Sequence, residues 1–261
     1  MSLQRKFTLL ATFSCAAVAL HAATLTPLHE NCRISLSEQT GKLSLRIDRG
    51  ECTGERSCGS NFGSEAFSRF TGISPSDLAR EGAHLTATLS AEAGVFTCTG
   101  TVHNQELSGD ALFTPDPSFV DRMAQLGFTG FDAEKLQAYA FINVDSAYAR
   151  SIQQAGISGV TIDNLLALRI FNVDPAYAKS FTALGYDQPD AAKLIALKSQ
   201  KVDVDEVRQL RSLGFQPTLD ELIQVRIFQI TPDFIHRMQD RGLNNLTIAK
   251  LVQIRIFKLA E

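Results

Sequence analysis

The chain has no excess of charge of either sign. Lys and Arg total 25 against 28 Asp and Glu in 261 residues, a formal net charge of −3. That excludes the strong basic field of a typical nucleic-acid-binding protein. Beyond residue 20 there is no apolar stretch of membrane length, which excludes a multi-span membrane protein. Catalytic signatures are missing as well: no His-Glu-x-x-His, no Gly-x-Ser-x-Gly, no Gly-x-x-x-x-Gly-Lys and no EF-hand calcium loop. Past the N-terminal segment, histidine occurs only as His29, His84, His103 and His236, scattered along the chain. No catalytic residue, cofactor or metal is therefore assigned. With 44% hydrophobic and 20% charged residues, the composition is that of a folded protein, neither disordered nor collagen-like.

What is there begins with a leader. Arg5 and Lys6 precede an apolar run from Phe7 to Leu20, followed by Ala22 and Ala23. This charged, apolar, small-residue order is that of a secretory signal peptide, and the run is too short to span a bilayer. Cleavage is expected between His21 and Thr24, so residues 1–23 are set aside and the remainder is expected in the periplasm or outside the cell. Cysteine usage agrees. Cys32, Cys52, Cys58 and Cys98 form an even set, as disulfides in an oxidising compartment require.

Residues 24–114 read as a small β-rich domain. Cys32, Ile34 and Leu36 alternate with polar residues, as do Leu43, Leu45 and Ile47, then Leu85, Ala87 and Leu89, then Phe96 and Cys98. A period of two with threonine enrichment predicts antiparallel strands with one buried face, in a sheet or sandwich. Ser64 to Phe70 and Ser76 to Arg80 predict short helical turns. The same parity points Cys32 and Cys98 inward, so the preferred pairing is Cys32–Cys98, with Cys52–Cys58 closing a Gly-rich loop. A zinc site from His29, Cys32, Cys52 and Cys58 is the competing reading, but it lacks the paired Cys-x-x-Cys knuckle.

From residue 115 the period changes and the sequence repeats. Gly127, Gly156, Gly185, Gly214 and Gly242 are spaced by 29, 29, 29 and 28 residues. Aligned segments precede each glycine, beginning at Asp116, Asp145, Asp174, Asp203 and Thr231. A second set follows, led by Leu136, Leu165, Leu194, Leu222 and Leu251. Each unit predicts two helices: an Asp or Thr cap, often followed by proline, a first helix ending at the left-handed glycine, then a second capped helix. Second caps are clear at Asp132, Thr161, Thr218 and Thr247 and less so around Asp190. Helices of about ten residues are marginal alone, so the units must stack. The fold class is α+β: a small antiparallel β-rich domain, then a solenoid-like array of five helical hairpins over 115–261.

Four residues after each leading leucine stand Ala140, Arg169, Lys198, Arg226 and Arg255. Stacking would align the cations as a ladder. One reading is a stripe that receives an acidic peptide or a carboxylate-bearing ligand. The plainer reading places each cation at a helix C-terminus, paired with the next cap, Asp174 or Asp203. The pairs Ile170-Phe171, Ile227-Phe228 and Ile256-Phe257 are expected as core contacts, except that the last unit has no following repeat. There Phe257 and its neighbours should stay exposed and invite a partner or a dimer. Asp203, Asp205, Asp220 and Glu221 fall at helix starts and are expected as caps and dipole partners.

The consensus unit Val-Asp-Pro-Ala-Tyr…Leu-Gly-Tyr…Leu-Ile-Ala-Leu-Arg-Ile-Phe resembles short helical repeats of bacterial exported proteins. Similar repeats accompany antirepressor-type membrane metallopeptidases that sense envelope stress. The resemblance spans residues 115 to 261, and Phe-Thr-Pro-Asp-Pro at 113–117 is in keeping with it. Without a peptidase motif, it implies an accessory or interaction role and carries over no catalytic residue. The sequence thus predicts an exported, non-catalytic adaptor that binds a protein or peptide through its repeats, with Arg169, Lys198, Arg226, Arg255 and Phe257 as contact residues. Two alternatives stand: a ligand- or envelope-binding β-rich domain with the repeats as spacer, and a hydrolase with its site at the junction.

Overall fold

The structure is a computed structural model that describes residues 25–48 and 59–258. The leader and the Cys52–Cys58 pairing lie outside these residues. Seven strands form one antiparallel sheet: β1 (Leu28–Leu36), β2 (Lys42–Asp48), β3 (Gly59–Ala66), β4 (Phe70–Thr71), β5 (His84–Ala91), β6 (Gly94–His103) and β7 (Glu106–Pro115). Their order is β3-β2-β1-β7-β6-β5-β4. Alternation buries Ile34 on β1, Leu43, Leu45 and Ile47 on β2, and Phe96, Cys98 and Val102 on β6. Leu36 keeps this parity but is exposed at the strand end.

Cys32 and Cys98 are joined, although β7 runs between their strands. Strands that are second neighbours in a flat sheet lie roughly 9.5 Å apart. The two cysteine Cα atoms are only 6.0 Å apart, which requires strong curling. The β7 residues opposite them, Gly109 and Ala111, are small enough to pass beneath the bridge. The sheet is accordingly barrel-like and not a sandwich. The turn expected over 64–70 is also corrected. Ser64, Glu65 and Ala66 complete β3, Phe67–Arg69 form a single 3-10 turn, and α1 (Pro75–Leu78) is the one α-helix between β4 and β5. The Gly- and Ser-rich β3 shows no apolar alternation; its pairing with β2 makes it a strand.

Ten helices follow β7 among the described residues, two for each sequence unit. They are α2 (Pro117–Gln125) and α3 (Ala133–Ile142), α4 (Ser146–Gln154) and α5 (Ile162–Ile170), α6 (Pro175–Thr182) and α7 (Ala191–Ser199), α8 (Val204–Ser212) and α9 (Leu219–Ile227), and α10 (Pro232–Asp240) and α11 (Ile248–Phe257). Every one has an Asp or Thr cap whose side chain accepts an N–H of its first turn, Asp190 included. Each cap contributes about 1 kcal/mol. The five spaced glycines all have positive φ, 72° to 89°, as the helix ends require. The second helices also end left-handed, but on Asn143, Asn172, Lys201, Gln229 and Lys258, residues with no such signature except asparagine.

Second helices touch in series: α3 with α5, α5 with α7, α7 with α9, and α9 with α11. The first of them, α3, lies on β5, β6 and β7. Its Phe141 ring meets Phe96 edge-on at 5.0 Å between centroids. Phe119, Phe131 and Tyr139 complete an aromatic cluster beside it. Polar links reinforce the junction. Gln137, buried on α3, donates to Glu30 on β1 at 2.6 Å. Glu92, in the β5–β6 turn, accepts from Arg122 of α2 and from the backbone N–H and hydroxyl of Ser146 at the start of α4, each at 2.7 Å. Burial alone would raise the Glu92 carboxyl, but these donors outweigh it and hold it below its ordinary range.

Candidate binding surface

Each ladder cation lies against the third residue of the first helix in its own unit. Arg169 covers the Tyr148 ring at 5.0 Å, Lys198 covers Tyr177 at 4.2 Å, and Arg255 covers Phe234 at 3.9 Å. In the fourth unit that residue is Glu206, and Arg226 pairs with it at 2.9 Å. These contacts, not pairs with the next cap Asp174 or Asp203, hold the cations. Two cations also reach back one unit. Arg226 donates to the Lys201 carbonyl at 2.7 Å and Arg255 to the Gln229 carbonyl at 3.1 Å, each at the left-handed end of the preceding second helix. Negative carbonyl ends attract cations there.

Ala140 breaks the ladder because α3 faces the sheet and the position is buried. A cation there would be desolvated. The role passes to Arg69, which follows β3 and donates to the carbonyls of Ala140 and Phe141.

The tyrosines explain why the aromatic column exists. Tyr148 donates to the Val173 carbonyl at 3.0 Å and Tyr177 to the Val202 carbonyl at 2.7 Å, the same bond in successive units. Tyr139 and Tyr186 make comparable bonds to Ile162 and Pro217, so all four tyrosines of the chain tie segments far apart in sequence. Burial pushes the Tyr148 phenol up to about 12, partly offset by Arg169, and raises Tyr139 and Tyr177 further.

The isoleucine–phenylalanine pairs are not the expected core contacts. Ile170 and Ile227 are each 54% exposed and Ile256 is 52% exposed; Phe171 is open as well, and only Phe228 of these packs partly on the core. The reason is angular. Ile170 stands five residues after buried Leu165, and at about 100° per residue that places it about 140° round the helix from the packed face. Phe257 is 66% exposed, in line with the sequence reading, and lies beside Ile256. Together these side chains put an apolar residue at the same place on α5, α9 and α11; on α7 the place is taken by Ser199.

Two clefts occupy equivalent places in the third and fourth units. The first, about 310 Å³, is lined by Tyr177, Lys198 and Val202; the second, about 450 Å³, by Glu206, Arg226 and Ile230. Glu206 stands outside the ladder and the row that the sequence marks. Its signal is nonetheless there, as the only non-aromatic residue in a column that otherwise reads Phe119, Tyr148, Tyr177 and Phe234. Burial raises its carboxyl above the ordinary value, and Arg226 only partly offsets this.

At the junction, a cleft lined by Leu28, Phe131, Asp132 and Glu134 carries acidic groups, of which Asp132 is committed to capping α3. Among the described residues no cluster of His, Cys, Asp and Glu is suited to a metal ion. Cys32, a member of the alternative zinc set, is engaged in the disulfide. Among the described residues, no helix is long and apolar enough to cross a membrane. No protein-family model, curated protein or solved structure matches the chain.

Proposed function

We propose that the protein is an exported, non-catalytic adaptor whose helical hairpins stack into a solenoid-like array and bind a protein or peptide. The observation that carries this reading is the recurrence of exposed apolar side chains, Ile170, Ile227 and Ile256, at one repeat position, with Phe257 at the end. Singly exposed apolar residues are ordinary, but their return at one helical position, interrupted at Ser199 of α7, offers an extended partner repeated apolar contacts. The ladder cations frame this row and hold the units that present it.

The disulfide and the leader support export. The test is affinity capture from a cell-envelope extract with the full chain beside an Ile170→Ser, Ile227→Ser, Ile256→Ser variant. A protein retained by the first and lost from the second, and binding the first when purified, is the expected result. Equal capture by both would overturn the reading and move recognition to the sheet.

A further inference from the structure

In the second and third units a tyrosine bridges the first helix to the start of the next unit. In each, the ring lies under the ladder cation and the hydroxyl donates to a valine carbonyl, Val173 or Val202. The fourth unit keeps the cation as Arg226 and the carbonyl as Ile230, but offers Glu206 in place of the ring. A carboxylate has no donor for that carbonyl. The cleft is correspondingly larger, about 450 Å³ against about 310 Å³, with Leu210, Val225 and Ile230 among its apolar walls.

We propose that this cleft is a subsite for a phenolic ring, the tyrosine side chain of a bound protein or peptide. The guest ring takes the place that Tyr148 and Tyr177 occupy in their own units. Arg226 is suited to receive it. A guanidinium stacks on aromatic rings, as Arg169 and Arg255 do in their own units, and Arg226 is fixed beside the cleft by its ion pair with Glu206 and its bond to the Lys201 carbonyl. The phenol hydrogen has two acceptors, the Ile230 carbonyl and the Glu206 carboxylate, whose Oε2 faces Arg226 Nε at 2.9 Å.

Other occupants fit less well. The carboxylates already have partners: Asp203 caps the Glu206 N–H, Asp205 pairs with Arg208, and Glu206 pairs with Arg226. A cation would therefore meet Arg226 across neutralised acids, and an anion would meet three carboxylates.

The inference rests on the peptide-binding reading and names one side chain that it requires. The experiment titrates the full chain with N-acetyl-tyrosinamide, N-acetyl-phenylalaninamide and N-acetyl-argininamide, following methyl NMR shifts of Leu210, Val225 and Ile230. Saturable shifts with the tyrosine amide, about fivefold weaker binding of the phenylalanine amide, and none from the arginine amide are expected. Glu206→Tyr should fill the cleft from within, abolish the response and raise the melting temperature. No response to the tyrosine amide in the unaltered chain, a stronger response to the arginine amide, or an undiminished response in folded Glu206→Tyr would each overturn the proposal. Glu206→Tyr leaves the isoleucine row untouched. Partner capture that survives while the amide response is absent would therefore sink this subsite alone.

Discussion

Arg69 donates from Nη2 to the carbonyl of Ala140 at 2.8 Å, and from Nη1 to the next carbonyl, Phe141, at 2.5 Å. The arginine lies 71 residues before that alanine, in the 3-10 turn that joins β3 to β4 of the sheet. It does for the first unit what Arg226 and Arg255 do for later ones, satisfying carbonyls at the end of a second helix. The sheet thus acts as the neighbour that the first unit would otherwise lack, with α3 against β6 and β7.

Arg69→Ala should therefore loosen the junction. It removes two carbonyl bonds and the 2.6 Å pair with half-buried Glu65, and we expect a loss of about 2–3 kcal/mol in urea unfolding. Arg69→Lys should recover less than half, because an ammonium cannot present the same planar fork. An unchanged midpoint in the alanine variant would show that packing alone holds the two parts together.

The Cys32–Cys98 bridge closes a loop with a sequence separation of 66. Loop-closure entropy gives about 4 kcal/mol for a bridge of that span. The Cys32→Ala, Cys98→Ala double variant should lose stability of that order by denaturant titration. Because the bridge draws β1 and β6 together over β7, the added exchange of backbone amides should centre on these strands. Loss spread evenly into α9 and α11 would contradict this.

Neutralising the ladder should lower stability unit by unit. Arg255→Ala loses the ring contact with Phe234 and the bond to the Gln229 carbonyl, and about 1–2 kcal/mol is expected. Arg226→Ala leaves Glu206 without its cation but acts at a partly exposed pair, so about 1 kcal/mol is expected. Melting temperatures that do not move would return these cations to service as a partner-binding stripe.

Alkaline pH should unfold the array through its tyrosines. Burial favours the neutral phenol in the fold, so Tyr148 ionises near 12 there but near 10 in the unfolded chain. Its contribution is fully present below pH 10 and is lost as pH rises towards 12, with Tyr139 and Tyr177 acting in the same direction. Absorbance of tyrosinate and helical circular dichroism should therefore change together in that window. Tyrosinate appearing near pH 10 with the helices intact would show that the phenols are not held as described.

Much of the array was legible because its determinants are local. Asp174-Pro175 caps a helix wherever it lies in space, and Gly185 ends one because a left-handed residue is cheapest without a side chain. Strand parity likewise puts Cys32 and Cys98 on inward faces. By contrast, the ladder partners are not legible in the sequence. Lys198 stands four residues from Val202 and five from Asp203, yet it lies over Tyr177, twenty-one residues earlier, because the two helices of the unit bring those side chains together.

By itself the sequence determined the α+β class, the repeat length, the helix caps and the left-handed glycines, since periodicity and capping are written within a turn or two of chain. Tertiary structure alone decided that β3 is a strand, that the sheet curls and is no sandwich, that Ile170 and Ile227 face outward, and that Arg69 substitutes for a missing ladder cation. Those outcomes depend on which surfaces meet across tens of residues. A side chain's burial and partners follow from the angle at which elements pack, a quantity no local pattern records.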